Sequence, residues 1–375
     1  MNILVLGNGF DIAHGLPTKY ENFLNFVKRF ENFNTSAVKD EDDINNYITN
    51  LKNNNLILFN EIDSLTKENI WLDYFDSIFE SRKNEGKDGW IDFEGEISDI
   101  IQTLDSARHT LNEQFKNGES HAHMEQWQLN KLLPFFYKDG KIYNKEDCSY
   151  INTAIGLRKE QALNDLNRMT RCLEIYLCDF ISFNKCAPLK DIAQLSINKV
   201  LSFNYTDTYR KIYCKNPILE MECDFIHGKA ELEHDIESCS LVLGIDEYLT
   251  NESMNNDNEF IQFKKFYQRI YKGTGSRYID WLDKRREAIN KTSKLSPLEL
   301  TIIFYGHSLD VTDGDILRKL ILEEGARTII FYHDKKALGN QISNLVKVIG
   351  EEELIKRTGG NRRTILFQKT STETL

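Results

Sequence analysis

The chain has 375 residues, enough for roughly two domains of about 150 residues each, and its 41% hydrophobic content supports a large buried core. A net charge of -11, from 58 acids against 47 bases, excludes broad electrostatic adhesion to DNA, RNA or anionic lipid. No apolar run reaches membrane-spanning length and no signal-peptide pattern starts the chain, so a cytoplasmic protein without membrane contact is expected.

Residues 2–7 (NILVLG) are a short continuous apolar run closed by Gly7, the pattern of a strand buried on both faces. Gly7 and Gly9 then permit a tight turn, and Gly15-Leu16-Pro17 sets a second one. Thr18 and Glu21 have the spacing of a capping box for the helix that follows. Helical periodicity dominates from about 19 to 185. Trp90, Phe93, Ile97, Ile101, Leu104 and Leu111 share one helical face; Leu163, Leu166, Met169, Leu173, Leu177 and Phe180 share another. Such stripes predict core packing. His121, His123 and Glu125 alternate along one stretch, but without partners they read as a surface loop. The cysteines (Cys148, Cys172, Cys178, Cys186, Cys214, Cys223, Cys239) form no CxxC pair and are odd in number, which fits reduced thiols.

Strand-like runs return after residue 195, at 199–204, 224–228, 241–244, 301–306, 327–333 and 363–368. Between them, residues 251–298 carry Phe263, Tyr267, Ile270 and Tyr271 at helical spacing. The cluster Lys356, Arg357, Arg362 and Arg363 reads as solvated surface. Strands alternating with helices predict a parallel sheet covered on both faces, with ligands beyond the carboxyl ends of its strands. The predicted organisation is a discontinuous sheet domain (1–32 and 196–375), a helical insertion domain (33–195) and a smaller helical insertion (251–298).

Four polar loops should meet at one sheet edge. The first holds Gly7, Asn8, Gly9, Phe10, Asp11 and His14; the second Asn204, Thr206 and Asp207; the third His227 and Gly228; the fourth Gly306, His307, Ser308 and Asp310. A glycine turn between a buried strand and a helix start is a generic anion or nucleotide site, and equally a plain structural turn. Asn204 also fits an ordinary strand-end turn, and His227 a histidine bonded to backbone. Asp11 and Asp207 also fit helix caps or loop braces.

These loops resemble the sirtuin nucleotide site. GNGFDIAHGLP has the spacing of the sirtuin G-A-G-x-S-x-x-x-G-I-P loop, matching at Gly7, Gly9, Gly15 and Pro17. Asn204 matches the asparagine of T-Q-N-x-D, His227-Gly228 the sirtuin H-G, and Gly306, Ser308, Leu309 and Val311 the G-T-S-L-x-V stretch. A closer resemblance is to the AbiH family of bacterial abortive-infection proteins, whose hallmark stretches look like GNGFDIAHGLPTKY, LSFNYTDTY, IHG and FYGHSLD; GWIDFE (89–94) is also similar.

The resemblance implies an α/β fold, a sirtuin-like (Rossmann-type) parallel sheet with a large α-helical insertion. It implies hydrolysis of the nicotinamide–ribose bond of NAD in antiphage defence, with NAD as substrate and no metal expected. Asn204 and His227 would be catalytic. Gly7, Asn8, Gly9, Phe10, Asp11, Pro17, Thr206, Asp207, Gly306, His307, Ser308 and Asp310 would bind the nucleotide. The insertion would cover the site or detect a phage-derived trigger protein, and a homo-oligomer is compatible with the sequence.

The departures from the sirtuin pattern open two alternatives. Asp11 stands where sirtuins have serine, and an ionised carboxylate only accepts hydrogen bonds, so it would repel a pyrophosphate unless turned away or neutralised. Thr206 stands in place of the nicotinamide-contacting aspartate, and the CxxC zinc module is absent. Asp11, His14, His227, His307 and Asp310 would, if gathered, suit a metal-dependent nucleotide or phosphoester hydrolase. The third reading is a non-enzymatic sensor of NAD or ADP-ribose.

Overall fold

The computed structural model describes residues 1–33, 42–84, 92–118, 123–136, 148–183, 186–214, 221–245, 258–291 and 299–371. Trp90, His121 and parts of 251–298 lie outside the described residues.

One parallel sheet is built from β1 (Asn2–Leu6), β2 (Lys199–Ser202), β3 (Glu222–Phe225), β4 (Leu300–Tyr305), β5 (Ala326–Tyr332) and β6 (Ile365–Lys369). Its order, β3-β2-β1-β4-β5-β6, is Rossmann-type, with the topological switch between β1 and β4. β1 is therefore central, in register with β2 from Ile3↔Lys199 to Leu6↔Ser202 and with β4 from Asn2↔Thr301 to Leu6↔Tyr305.

This position explains the unbroken apolar run at the start of the chain. Ile3 and Val5 enter one core with Leu201, Phe304, Leu317 and Leu345. Leu4 and Leu6 enter the other with Phe10, Val200, Ile303 and Tyr305. A strand with no solvent face has no place for a polar residue. Each such aliphatic side chain contributes about 1.5–3 kcal/mol on burial.

The chain divides into two compact units. The sheet unit comprises Met1–Thr18, Leu177–Ala230 and Gly273–Leu375; the helical unit comprises Lys19–Tyr176 and Glu231–Lys272. Residues 19–32 and the described residues of 231–250 belong to the helical unit, the described residues of 177–195 belong to the sheet unit, and the described residues of 251–298 divide between the two. Packing gives the reason. Phe23 and Phe26 lie against Tyr176, with ring centroids 5.7 and 5.1 Å apart. Arg171 donates to the carbonyls of Glu231 and Leu232. Leu189 and Ile192 belong to one sheet core, and Tyr278, Trp281 and Leu282 to the other.

In the helical unit, the helix Phe93–Lys116 buries Phe93, Ile97, Ile101, Leu104 and Leu111, as the periodicity predicts. Asp92 caps it through the N–H of Gly95, Phe93 stacks on Tyr20 and Phe75, and Glu94 pairs with buried Lys265. The described part of GWIDFE is thus a helix start and its anchors. In the helix Cys148–Ile175, Leu166, Met169 and Leu173 are buried and Leu163 is half-buried, and beyond it Phe180 is also only half-buried. The α-helical register ends there in a π-helical turn, Tyr176–Phe180, which shifts the stripe.

Three local expectations are corrected. Residues 241–244 are not a strand: Leu241, Val242 and Leu243 are buried, but the backbone of Leu243 pairs with the side-chain amide of Gln268 instead of a sheet. Tyr267, Ile270 and Tyr271 lie on the helix Lys265–Lys272, with Ile270 and Tyr271 78% and 76% exposed, whereas Phe263 is buried in the preceding 3₁₀ turn Ile261–Phe263, outside that helix. Thr18 and Glu21 do not form a capping box. The helix Tyr20–Asn32 has Lys19 at its N-cap, and the Thr18 hydroxyl is spent on Asn8 Oδ1 at 2.6 Å.

Candidate functional site

The carboxyl ends of β1 to β4 deliver the loops chosen from sequence. The first is hardly a loop: helix α1 (Asn8–Ala13) begins one residue after Gly7. The N–H of Gly7 donates to Tyr305, that of Gly9 to Gly306, and that of Phe10 to Gly7. A Cβ on Gly9 would lie 2.8 Å from the Gly306 backbone, and one on Gly306 only 2.1 Å from the Phe10 nitrogen. The close approach these glycines permit is therefore made by the fourth loop against the first, at the switch point of the sheet. The side chain of Asn8 exchanges hydrogen bonds with Thr18, and Pro17 is half-buried beside it in sequence.

The polar side chains form two groups. In the first, Asn204 Nδ2 donates to the Gly7 carbonyl at 3.0 Å. Thr208 donates to Thr206, which donates to Asp11. Asp11 is only 1% exposed, so its carboxylate is turned into the protein. Burial pushes its pKa up from 3.8 to about 6, against the lowering effect of hydrogen bonds from Thr206, Thr208 and Asn204. Phe10 is wholly buried among Tyr213, Tyr305 and His14, a core residue and not a pocket wall.

The second group holds His227, His307 and an acid that sequence reasoning missed. Nε2 of His227 lies 3.2 Å from Asp313 Oδ1, and Nε2 of His307 lies 3.7 Å from Asp313 Oδ2. The Phe203 ring stands edge-on to both imidazoles. His227 is 5% exposed and its Nδ1 has no hydrogen-bond partner. Asp310, the acid favoured from sequence, instead caps the turn Val311–Asp313 through the N–H of Thr312. The only signal for Asp313 was a second acid in the same loop, three residues further on. Ser308 is exposed and offers its carbonyl to Asn344, while Asp207 pairs with Arg210.

The metal constellation is not assembled. His14 bonds Phe10 O through Nδ1 and Tyr213 Oη through Nε2, so neither nitrogen is spare, and burial holds its pKa down. His307 Nδ1 accepts the N–H of Leu309. Among the described residues no group of three His, Cys, Asp or Glu has metal-binding geometry.

A family model described as "Bacteriophage abortive infection AbiH" matches residues 3–333. The chain belongs to the AbiH family. The match runs from β1 to the end of β5 and takes in every loop described above. No curated protein and no solved structure matches the chain. Membership supports a role for this AbiH-family protein in phage abortive infection. Among the described residues, no helix is long and apolar enough to cross a membrane.

The sheet unit also carries a cleft of about 720 Å³ lined by Arg285, Arg286, Asp315, Arg318 and Glu323. It lies towards the amino ends of the strands, since Glu323 precedes β5, and shares no residue with the loops above. Its charges largely neutralise one another: Glu323 pairs with Arg285 and Arg286. The strand-end loops, where the orphaned imidazole nitrogen sits, are the better candidate.

Proposed function

We propose that this AbiH-family protein hydrolyses the nicotinamide–ribose bond of NAD, with His227 as general base. The observation that carries the reading is the buried His227 side chain, whose Nδ1 lacks a partner while Nε2 faces Asp313. Buried polar atoms are nearly always satisfied, so an orphaned imidazole nitrogen at the carboxyl edge of a Rossmann-type sheet suits a reacting group. In the reaction water attacks the ribose C1′ and gives its proton to Nδ1. The C–N bond breaks, nicotinamide leaves with the electron pair, and the products are nicotinamide, ADP-ribose and a proton.

Two further features support it. Asp11 faces Thr206, so its charge is turned away from a pyrophosphate. Asn204 then acts by holding the first loop through the Gly7 carbonyl. Loss of NAD would halt an infected cell, and the helical unit is the candidate detector of a phage-derived trigger protein.

The test is nicotinamide release from NAD by the purified chain, with and without EDTA and with and without extract of phage-infected cells. EDTA-resistant release that falls at least about 100-fold in His227→Ala is expected. EDTA-sensitive release, tight nucleotide binding without turnover, or no nucleotide binding in any arm would overturn it.

A further inference from the structure

Asp313 stands between two imidazoles, 3.2 and 3.7 Å from their Nε2 atoms, and the charge and lone pairs around them bear on more than their positions. His307 Nδ1 accepts the Leu309 N–H at 2.8 Å, so the proton of the neutral ring sits on Nε2, the atom nearer Asp313. The turn that presents this N–H holds Leu309 at φ +60, a left-handed conformation that non-glycine residues rarely adopt. His227 shows the complementary pattern: Nε2 lies 3.2 Å from Asp313 Oδ1, an ion-pair approach and not an aligned hydrogen bond, and Nδ1 has no hydrogen-bond partner. An ionised carboxylate can only accept, so a neutral His227 facing it carries its proton on Nε2 and leaves the Nδ1 lone pair bare. Asp310 contributes at one remove, since its side chain caps the short turn that ends in Asp313.

We infer that Asp313 is the positioning residue of this site, that it holds His227 as the Nε2–H tautomer, and that Nδ1 of His227 is the atom that accepts the proton from the attacking water. When Nδ1 gains that proton, the imidazolium forms beside the Asp313 carboxylate, which stabilises it. Nε2 of His307 lies 3.7 Å from the other carboxylate oxygen, a longer-range charge contact on the same acid. The tautomer assignment rests on geometry alone; the catalytic assignment rests on the hydrolase reading proposed above.

The full chain contains eight histidines, so ¹⁵N spectra of the histidine-labelled protein are assignable by difference against His227→Gln. In the neutral ring, His227 is expected to show an unprotonated Nδ1 and a protonated Nε2, and Asp313→Asn is expected to mix the two tautomers. A protonated Nδ1 in the unmodified protein overturns the assignment, whether or not the variant folds. So does an unchanged tautomer in a folded Asp313→Asn protein. In the kinetic arm, Asp313→Asn should lower kcat for nicotinamide release by about 100-fold or more with KM changed less than about threefold. A KM effect without a kcat effect overturns the positioning role. The expected tautomer in a chain that releases no nicotinamide overturns the hydrolase reading and upholds the tautomer assignment.

Discussion

Thr206 donates its hydroxyl to the carboxylate of Asp11, and this one hydrogen bond joins the segment after β2 to the helix after β1. Thr208 extends it by donating to Thr206 at 3.0 Å. The other carboxylate oxygen, Oδ1, is buried without a partner. An aspartate placed at the start of a phosphate-like loop is thus a brace between two loops.

That brace should make stability depend on pH. The unfolded chain releases the Asp11 proton near 3.8 and the folded chain near 6. Between these values the folded state holds more protons, so the stability Asp11 permits at low pH is lost as pH rises from about 4 to 6, with the full penalty above 6. The gap corresponds to about 3 kcal/mol at 1.36 kcal/mol per pH unit. Asp11→Asn keeps an acceptor for Thr206 and removes the charge. Urea unfolding should find the variant more stable than the parent at pH 7.5, with the difference shrinking towards pH 4.5; a pH-independent difference would refute the argument.

Gly306 should not tolerate a side chain. It holds φ +68, and an added Cβ would stand 2.1 Å from the Phe10 nitrogen, which is backbone and cannot swing aside. Gly306→Ala should lose about 3 kcal/mol or more, visible as a lowered Tm or loss of soluble protein. Gly339, inside the helix Lys335–Ile349 with nothing within 4 Å of its added Cβ, is the control; Gly339→Ala should gain about 0.5–1 kcal/mol.

Tyr213 links two segments through its hydroxyl, which meets His14 Nε2 at 2.9 Å and accepts the Leu189 N–H at 2.8 Å. Tyr213→Phe keeps the ring and strands both partners. A loss of about 1–3 kcal/mol in urea unfolding is expected, with the near-ultraviolet dichroism otherwise retained. A loss below about 0.5 kcal/mol would show that water replaces the hydroxyl.

In the helical unit Arg171 and Glu174 are 1% and 0% exposed and paired at 2.7 Å. Removing one partner leaves a buried charge, so Arg171→Ala should lose about 3–5 kcal/mol. The double variant Arg171→Met with Glu174→Gln should recover much of that loss. Thermal unfolding of the three proteins checks this, and equal losses in single and double variants would contradict it.

Much of the architecture was legible in the residues. The apolar runs at 2–7 and 199–204 contain β1 and β2, and those at 301–306, 327–333 and 363–368 overlap β4, β5 and β6 to within one residue at an end, because strands central to the sheet are apolar on both faces. The run at 224–228 was displaced, since β3 spans Glu222–Phe225. The run at 241–244 is not a strand, because an apolar run alone cannot distinguish a strand from a buried segment paired to a glutamine side chain. The spacing of Gly7, Gly9, Asn204, His227 and Gly306 also marks which loops converge on the sheet edge.

What the sequence determined by itself was the kind of fold and the family, because both reside in periodicity and local motif, which are properties of neighbouring residues. Only the tertiary structure decided what each polar group faces. It turned Asp11 inward on Thr206, tied both nitrogens of His14, sank Phe10 into the core and set Asp313, not Asp310, between His227 and His307. Those choices depend on atoms brought together from strands far apart in the chain, and on the burial that makes an unpaired nitrogen or carboxylate oxygen costly enough to matter.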